Sequence, residues 1–313
     1  MPSEADRHEI AIGDERYPDG VRELSDAAPV LYVRGDPAAL RLPSLSIVGS
    51  RSATPYGVAV AEMGARIAAE SGLAVVSGGA RGCDAAAGAA ALDAGGVHVV
   101  VLGCGADVVY PRSSRGLIER ALAGGGAVVS LDPWGMEPRR WAFPRRNRVI
   151  AALSRALLVT EAGLPSGTFT TAECACELDR ELLAVPGSIL SKESRGSNHL
   201  IASGATCIAD EGDLEMAISR IYGCLRFCRP AAPGTPGLSV RDQSLLDALA
   251  ASPLRIDEIS RLTRLDAAST LQLVSDLMVR GLVERLLDGR VSLTKLALHA
   301  RTPLGHNMVS RNR

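Results

Sequence analysis

One short stretch of the sequence places cations beside aromatic rings. Residues 143–148 read Phe-Pro-Arg-Arg-Asn-Arg, and Arg139, Arg140 and Trp141 lie just upstream. Such a mixture suits a single nucleic-acid strand, because guanidinium groups can hold its phosphates while rings stack on its bases. A solvated helix start is the alternative, but cations at a helix N-terminus oppose the helix dipole and need another reason to be there. We therefore predict a nucleic-acid contact at this motif.

Three loops could present backbone N–H groups to anions. Residues 49–57 read Gly-Ser-Arg-Ser-Ala-Thr-Pro-Tyr-Gly, residues 77–84 read Ser-Gly-Gly-Ala-Arg-Gly-Cys-Asp, and residues 163–168 read Gly-Leu-Pro-Ser-Gly-Thr. In the first loop Thr54 is a good N-cap and Pro55 suits the first helical position, so the helix N-terminus would face hydroxyls and a guanidinium. Each loop alone could be an ordinary turn. Three of them on one sheet edge indicate an anion-rich ligand.

Motifs for several kinds of catalysis are missing. No G-x-x-x-x-G-K-[ST] phosphate loop occurs, and residues 103–108 lack the third glycine of the dinucleotide fingerprint. The histidines suggest no Ser–His–Asp arrangement, and the cysteines have no zinc-site spacing. We expect no catalysis, no metal and no cofactor.

Short apolar runs alternate with Ala-rich helical stretches between residues 30 and 210. Several runs are continuously apolar, as in strands buried on both faces of a parallel sheet. The predicted strands are Val30–Val33, Leu45–Val48, Leu73–Ser77, Val97–Leu102, Ala127–Ser130, Ala156–Thr160 and Leu182–Val185. The predicted helices are Tyr56–Glu70, Asp84–Ala94, Ser114–Ala123, Arg146–Ser154 and Thr170–Glu181. This rhythm predicts an α/β fold with a doubly wound, Rossmann-like parallel sheet, which binds ligands beyond the carboxyl ends of its strands.

A smaller C-terminal domain follows the sheet. We predict helices at Arg241–Ala251, Arg255–Thr263 and Ala267–Arg280, and then a hairpin with its turn at Asp288-Gly289. Three helices and a hairpin are typical of a winged helix, which could bind duplex DNA, a protein or nothing, since its third helix carries few cations. The expected organisation is an N-terminal extension (1–40), a Rossmann-like domain (41–225), a Pro/Gly-rich linker (226–237), a winged-helix domain (238–298) and a tail (299–313).

The composition limits where a nucleic acid could bind. The 313 residues carry a formal net charge of −1, so a basic site must be a local patch. The cations are almost all arginine, whose planar fork suits phosphate, although a GC-rich coding bias would give the same skew. We interpret the seven cysteines as buried, reduced thiols of a cytoplasmic protein. No apolar run approaches the ~20 residues that cross a bilayer.

The order of these motifs resembles the DNA-processing protein A family, also called Smf. The matching pieces are Tyr17-Pro18, residues 48–51, Thr54, Tyr56-Gly57, residues 77–82, Asp84, residues 102–105, Asp107, Tyr110-Pro111, Phe143-Pro144, residues 146–148, Glu161-Ala162, Ser166-Gly167, Thr171-Ala172, residues 184–187, Asn198, Leu200-Ile201 and Gly204-Ala205. The resemblance spans roughly residues 14–210 and is very specific, because the matches follow one another across seven loops.

The resemblance implies a non-enzymatic protein that binds single-stranded DNA, usually as a homodimer. It also implies protection of incoming strands in natural transformation and loading of the RecA recombinase onto them. Winged-helix domains are common at the family's C-terminus. The DNA-binding residues implied here are Gly49, Ser50, Arg51, Thr54, Gly78, Gly79, Arg81, Phe143, Arg145, Arg146, Asn147, Arg148, Ser166, Gly167 and Thr168.

The chain also departs from the family pattern. Gly88 stands where the family usually has His, Ser130-Leu131 replaces a common Ser-Glu, and the helical N-terminal domain of many members has no counterpart. Two other hypotheses stay open. A nucleotide-processing enzyme of the phosphoribohydrolase kind would use Glu173 or Asp84 as its carboxylate, and a transcription regulator would bind duplex DNA through the C-terminal domain alone.

Overall fold

The computed structural model describes residues 6–224, 239–294 and 297. The chain divides into a large N-terminal unit and a small C-terminal unit. The first contains a nine-stranded sheet, and the second contains helices and a two-stranded hairpin. The predicted linker (226–237) and tail (299–313) lie outside the described residues.

Seven parallel strands form the body of the sheet. In chain order the nine strands are β1 (Arg7–Ala11), β2 (Val30–Gly35), β3 (Ser44–Val48), β4 (Ala74–Ser77), β5 (His98–Leu102), β6 (Ala127–Ser130), β7 (Ala156–Val159), β8 (Glu181–Ala184) and β9 (Thr206–Cys207). Their spatial order is β1-β2-β6-β5-β4-β3-β7-β8-β9. The chain moves outward from β3 to β6, returns beside β3 at β7, and moves out the other way. This reversal creates a topological switch point between β3 and β7.

The second strand differs from the prediction in its direction. β2 pairs antiparallel with β6 and with β1, whereas the sequence predicted a parallel neighbour. The reason is the connection to β3, which is only a short 3-10 turn at Pro37–Arg41 instead of a crossover helix. The sheet therefore continues into residues that the sequence analysis assigned to an N-terminal extension.

Helices cover both faces of the sheet, as predicted for a doubly wound fold. They are α1 (Asp19–Arg22), α2 (Pro55–Glu70), α3 (Cys83–Asp93), α4 (Arg115–Ala123), α5 (Ala142–Leu153), α6 (Thr168–Glu177), α7 (Arg195–Ala202) and α8 (Glu211–Tyr222). Aliphatic side chains of α2, α3 and α8 pack on one face, and those of α5 and α6 pack on the other. The inner strands are buried throughout, which confirms a core of Ala, Val, Leu and Ile.

Two helix boundaries were predicted wrongly. α5 begins at Ala142 and not at Arg146, because a proline in the first turn of a helix is tolerated and Pro144 occupies that turn. α6 ends at Glu177, since Asp179 adopts a left-handed conformation with φ 52°, and Glu181 begins β8. The basic motif is therefore helical and is not an extended loop.

Gly88 of α3 lies against a histidine from the sheet. His98 in β5 is fully buried, and its Nδ1 lies 3.0 Å from the carbonyl oxygen of Val75. A Cβ atom at position 88 would be 2.5 Å from Nε2 of His98. The imidazole ring of His98 thus fills the space beside Gly88.

The C-terminal unit has the order of elements of a winged helix. It consists of α9 (Val240–Ala251), α10 (Ile256–Thr263), α11 (Ala267–Val279), β10 (Val283–Arg285) and β11 (Val291–Leu293). A capping box at Ser239 begins α9, and the Asp266 carboxylate caps α11. Between the two strands, Gly289 provides the positive φ (82°) of the predicted turn.

The described cysteines are free thiols, but only three of them are buried. Cys83, Cys104 and Cys174 lie inside the protein, whereas Cys176 and Cys207 are exposed. Within the described residues no helix is long and apolar enough to cross a membrane.

Candidate functional site

A pocket of about 450 Å³ lies at the carboxyl ends of β3 and β7. These two strands are neighbours, and the helices that follow them, α2 and α6, lie on opposite faces of the sheet. The first pocket, as we call it, thus occupies the topological switch point, where open α/β sheets bind ligands. Predicted residues that line it are Gly49, Ser50, Arg51, Arg146, Asn147, Ser166, Gly167 and Thr168. Other polar or small residues line it that were not among the implied DNA-binding residues: Ser52, Ala80, Asp84, Gly163 and Pro165 of the three predicted loops, and Thr171 of α6.

The loop after β3 is held rigidly and presents one exposed cation. The Ser50 amide donates to the Glu161 carbonyl (2.8 Å), and the Ser50 carbonyl accepts from the Cys83 amide (3.1 Å). Gly49 is required because a Cβ there would lie 2.6 Å from Oγ1 of Thr160. Arg51 follows with its guanidinium carbon 5.4 Å from the centre of the Phe143 ring. Backbone bonds therefore fix the loop while the Arg51 side chain faces solvent.

The N-terminus of α2 is closed by an internal carboxylate. Thr54 caps the helix, since its Oγ1 accepts from the Gly57 amide at 3.2 Å. The buried Glu161 carboxylate accepts from the Thr54 amide (2.8 Å) and the Thr54 hydroxyl (2.5 Å). Burial raises the pKa of Glu161, and the bonds from Thr54 oppose that rise. The capping prediction is confirmed, but the free N–H groups expected here for a ligand already face Glu161.

A buried guanidinium forms the deep side of the first pocket. Arg146 is only 4% exposed, and its Nη1 donates to the Val101 carbonyl at 3.0 Å. A Cβ at residue 78 would lie 1.6 Å from that Nη1, so only glycine fits there. Asp84 is also buried and accepts from the Gly78 amide at 3.1 Å. Burial raises the pKa of Asp84 and lowers that of Arg146, while the opposite charge of each group counters the shift of the other.

The loop after β7 supplies hydroxyls and a helix N-terminus. The Ser166 hydroxyl accepts from the Thr168 amide (3.2 Å) and donates to the Thr168 hydroxyl (3.0 Å). Asn147 of α5 donates from Nδ2 to the Gly167 carbonyl at 3.3 Å and so connects α5 to this loop. The loop forms the wall of the first pocket that faces Arg51 and Ser52 on the β3 side.

The helical geometry of α5 separates the arginines of the basic motif. Neighbouring residues of a helix point about 100° apart, so Arg145, Arg146 and Arg148 cannot all face one pocket. Arg148 bonds to Asp26 (3.1 Å) and Glu177 (3.2 Å), away from the first pocket. Arg145 lies 3.6 Å from Asp132. The structure therefore brings Arg146 and Asn147 to the pocket and leaves the other two outside it.

An exposed aromatic surface adjoins the pocket. The half-buried Phe143 ring contacts the Arg51 guanidinium, and its centre is 5.8 Å from that of the Tyr110 ring. Tyr110 is 44% exposed, and Trp141 is 55% exposed with the Arg145 guanidinium above its ring. Such rings can stack on bases. Tyr110 was not predicted as a site residue, because only the fold brings it beside the motif.

Five exposed arginines without an acidic partner follow four adjacent strands. Arg51 follows β3, Arg81 follows β4, Arg112 follows β5, and Arg139 and Arg140 follow β6. No acidic side chain of the described residues pairs with any of them. Since β3 to β6 are neighbours, the segments that carry these residues all leave the same carboxyl edge of the sheet, and we call the five residues the basic edge. It gives a protein of net charge −1 a local basic surface.

The described residues contain no cluster of His, Cys, Asp and Glu able to hold a metal ion. The donors of the first pocket and the basic edge are instead amides, hydroxyls and guanidinium groups. These groups suit phosphate oxygens.

Comparisons with known proteins give matches to two family models. Residues 8–219 match the family model described as DNA recombination-mediator protein A, and residues 229–289 match the DprA winged helix domain. Protein Smf of Escherichia coli (strain K12) is 38% identical over 207 residues, which are 66% of this chain and 55% of that protein. The chain thus spans about half the length of this relative.

Two solved structures are similar to the N-terminal unit. DprA from Streptococcus pneumoniae matches with a TM-score of 0.63 and 37% identity, over 66% of this chain and 73% of that one. DNA processing protein A from Helicobacter pylori, whose structure concerns its single-stranded DNA binding mode, matches with a TM-score of 0.63 and 28% identity. That match covers 71% of this chain and 100% of the other.

Proposed function

Because the chain belongs to the DNA recombination-mediator protein A family, we propose that it binds single-stranded DNA along the basic edge and in the first pocket. The bound strand is protected and handed to the RecA recombinase, in natural transformation or homologous recombination. The protein acts in the cytoplasm as a homodimer, so that two sites hold one strand with greater avidity. The single-stranded DNA binding mode of the Helicobacter pylori relative supports this proposal.

The observation that carries the proposal is that five exposed, unpaired arginines follow four adjacent strands, and that one of them, Arg51, lies 5.4 Å from the centre of the Phe143 ring. Cations whose charges are not met by protein carboxylates remain available to phosphates. Tyr110, Phe143 and Trp141 supply flat surfaces next to them, and stacking on such a ring contributes ~1–3 kcal/mol per base. Backbone amides and hydroxyls of the first pocket add neutral donors, which suit a phosphate of any sequence context.

The carboxylates near the pocket favour binding over hydrolysis. A phosphoribohydrolase-like enzyme would need a carboxylate free to act on its substrate. Asp84 accepts from the Gly78 amide and so holds the loop after β4, while Glu173 is exposed on α6 and does not line the first pocket. These contacts support a protein that binds a strand without turnover.

We predict that Arg51→Ala weakens the binding of labelled oligothymidylate and flattens its dependence on salt. Removal of one phosphate contact should lower the slope of log affinity against log salt by about 0.7. Arg41→Ala is the matched control, because Arg41 is also exposed but precedes β3 at the opposite edge of the sheet. A fluorescence anisotropy titration over several salt concentrations measures both variants.

Two results would contradict the proposed binding of single-stranded DNA along the basic edge. Equal losses for Arg41→Ala and Arg51→Ala would show that binding follows net charge and not the basic edge. If the native chain binds no oligothymidylate at low salt, the proposal is wrong, and nucleoside monophosphates become the ligands to test for binding and hydrolysis.

A further inference from the structure

A second pocket of about 360 Å³ lies between α3 and α4. Arg81 and Gly82 form one side, while Ser113 and Gly116 form the other. None of these four residues lines the first pocket. The second pocket is therefore distinct from the first.

The charges around the second pocket favour an anion. Arg120 also lines it but is paired with Asp93. Arg81 has no acidic partner among the described residues, and Arg112 precedes Ser113 in the adjacent 3-10 turn. No acidic side chain lines the pocket. The exposed Ser113 hydroxyl supplies a neutral donor beside these cations.

The second pocket is separated from the first by the contact between the loops after β3 and β4. The Cys83 amide donates to the Ser50 carbonyl at 3.1 Å, and a Cβ at residue 82 would lie 2.2 Å from that oxygen. Gly82 lines the second pocket, while Ser50 and Arg51 line the first. Only the two touching loop backbones separate the pockets, and Arg51 and Arg81 lie on either side of that contact. A strand could cross from one to the other without leaving cationic surface.

We propose that the second pocket is a second phosphate subsite for the strand whose first phosphates lie in the first pocket. This inference rests on the proposed function. One strand crosses the contact between the loops after β3 and β4, and a phosphodiester group farther along it lies between Arg81 and Ser113. Binding should then strengthen when an oligomer becomes long enough to reach the second pocket.

Gly116→Asp tests the subsite with little risk to the fold. A Cβ at residue 116 meets no atom within 4 Å, and an acidic residue in the first turn of α4 suits the helix dipole. The new carboxylate repels a phosphate in the second pocket. Gly116→Asn has nearly the same shape without the charge and is the matched control. Arg81→Ala removes the cation from the opposite side.

The measurement is the affinity for oligothymidylates of increasing length at low salt. We expect Gly116→Asp to weaken binding of long oligomers about fivefold or more, and to leave short oligomers and the Gly116→Asn control near the native affinity. Arg81→Ala should show the same dependence on length. Arg51→Ala should weaken binding at every length, because Arg51 lines the first pocket.

Three results would overturn the subsite. Native affinity of Gly116→Asp and Arg81→Ala at all lengths, with a loss for Arg51→Ala, would exclude the second pocket but retain the proposed function. An equal loss at all lengths would mean that these residues act on the first pocket. Free inorganic phosphate is the remaining source of an anion, and if it competes with short and long oligomers equally, the pocket is not part of the strand's path.

Discussion

At the scale of single residues, Arg146 differs from every other cation of its motif. Its guanidinium is buried under Gly78 and bonded to the Val101 carbonyl, whereas the arginines of the basic edge are exposed. The Arg146 side chain lines the deep side of the first pocket together with the buried Asp84. The residue thus contributes a fixed positive potential and shapes the loop after β4, while the exposed arginines are free to follow a ligand.

We expect Gly78→Ala to lower the free energy of unfolding by about 1–3 kcal/mol, because the added methyl group displaces the Arg146 guanidinium. Gly116→Ala is the control and should raise it by about 0.5–1 kcal/mol, since it replaces an exposed helical glycine. Urea unfolding measures both. Native stability of Gly78→Ala would mean that Arg146 can leave its bond to Val101 without cost.

The residue types of the site were predictable from the sequence, but the directions in which their side chains point were not. The sequence indicated arginine, glycine and hydroxyl residues in the right loops, and Gly49, Arg51 and Ser166 do line one pocket. It did not indicate that Arg148 bonds to Asp26, because that contact joins residues far apart in the chain. Nor could it place Tyr110 beside Phe143.

At the scale of elements, the start of α2 is fixed both by neighbouring residues and by a residue more than a hundred positions away. Thr54 and Pro55 are sufficient to begin the helix, and both were read from the sequence. The Glu161 carboxylate comes from the end of β7 and closes the same helix start. The parallel pairing of β3 with β7 creates this contact, which local sequence patterns do not contain.

We expect Thr54→Val to lower the free energy of unfolding by about 1–2 kcal/mol, because the N-cap and the bond to Glu161 are lost together. Thr54→Ser keeps the hydroxyl and should remain near native stability. Affinity for oligothymidylate should be unchanged in both, since Thr54 does not line the first pocket. A loss of affinity without a loss of stability would instead make Thr54 a ligand.

The strands also differ in how well the sequence predicted them. Those buried on both faces have continuous apolar runs, and all seven predicted runs became strands of the sheet. β9 has only two residues and β1 is half-exposed, so neither has such a run. β2 pairs with β6, nearly a hundred residues away, and no local pattern encodes that choice of partner.

At the scale of the whole molecule, charge and stability depend on buried as well as exposed groups. The protein has a basic edge although its net charge is −1, because arginines elsewhere on the surface are paired with carboxylates. Salt should therefore act on binding through a few residues and not through the overall charge. The winged helix could be recognised as a module, since its caps and hairpin turn are local signals.

The contribution of His98 to the stability of the protein should fall as the pH falls below 6.5. Burial lowers the pKa of His98 to about 4, so the unfolded chain takes up this proton first. The stability is complete above the unfolded pKa and is lost progressively between pH 6.5 and 4, by up to about 3 kcal/mol.

Urea unfolding at several pH values measures this loss. His98→Gln should flatten the slope over that interval, whereas His199→Gln should keep it, because His199 is exposed. A native slope in His98→Gln would assign the effect to other groups.

The imidazole ring of His98 occupies the space that a side chain at residue 88 would need. A side chain can grow at residue 88 only if the imidazole at residue 98 is replaced by something smaller, since the present spacing leaves 2.5 Å. The two sites are thus expected to covary in size across relatives, with a large residue at either one but not at both.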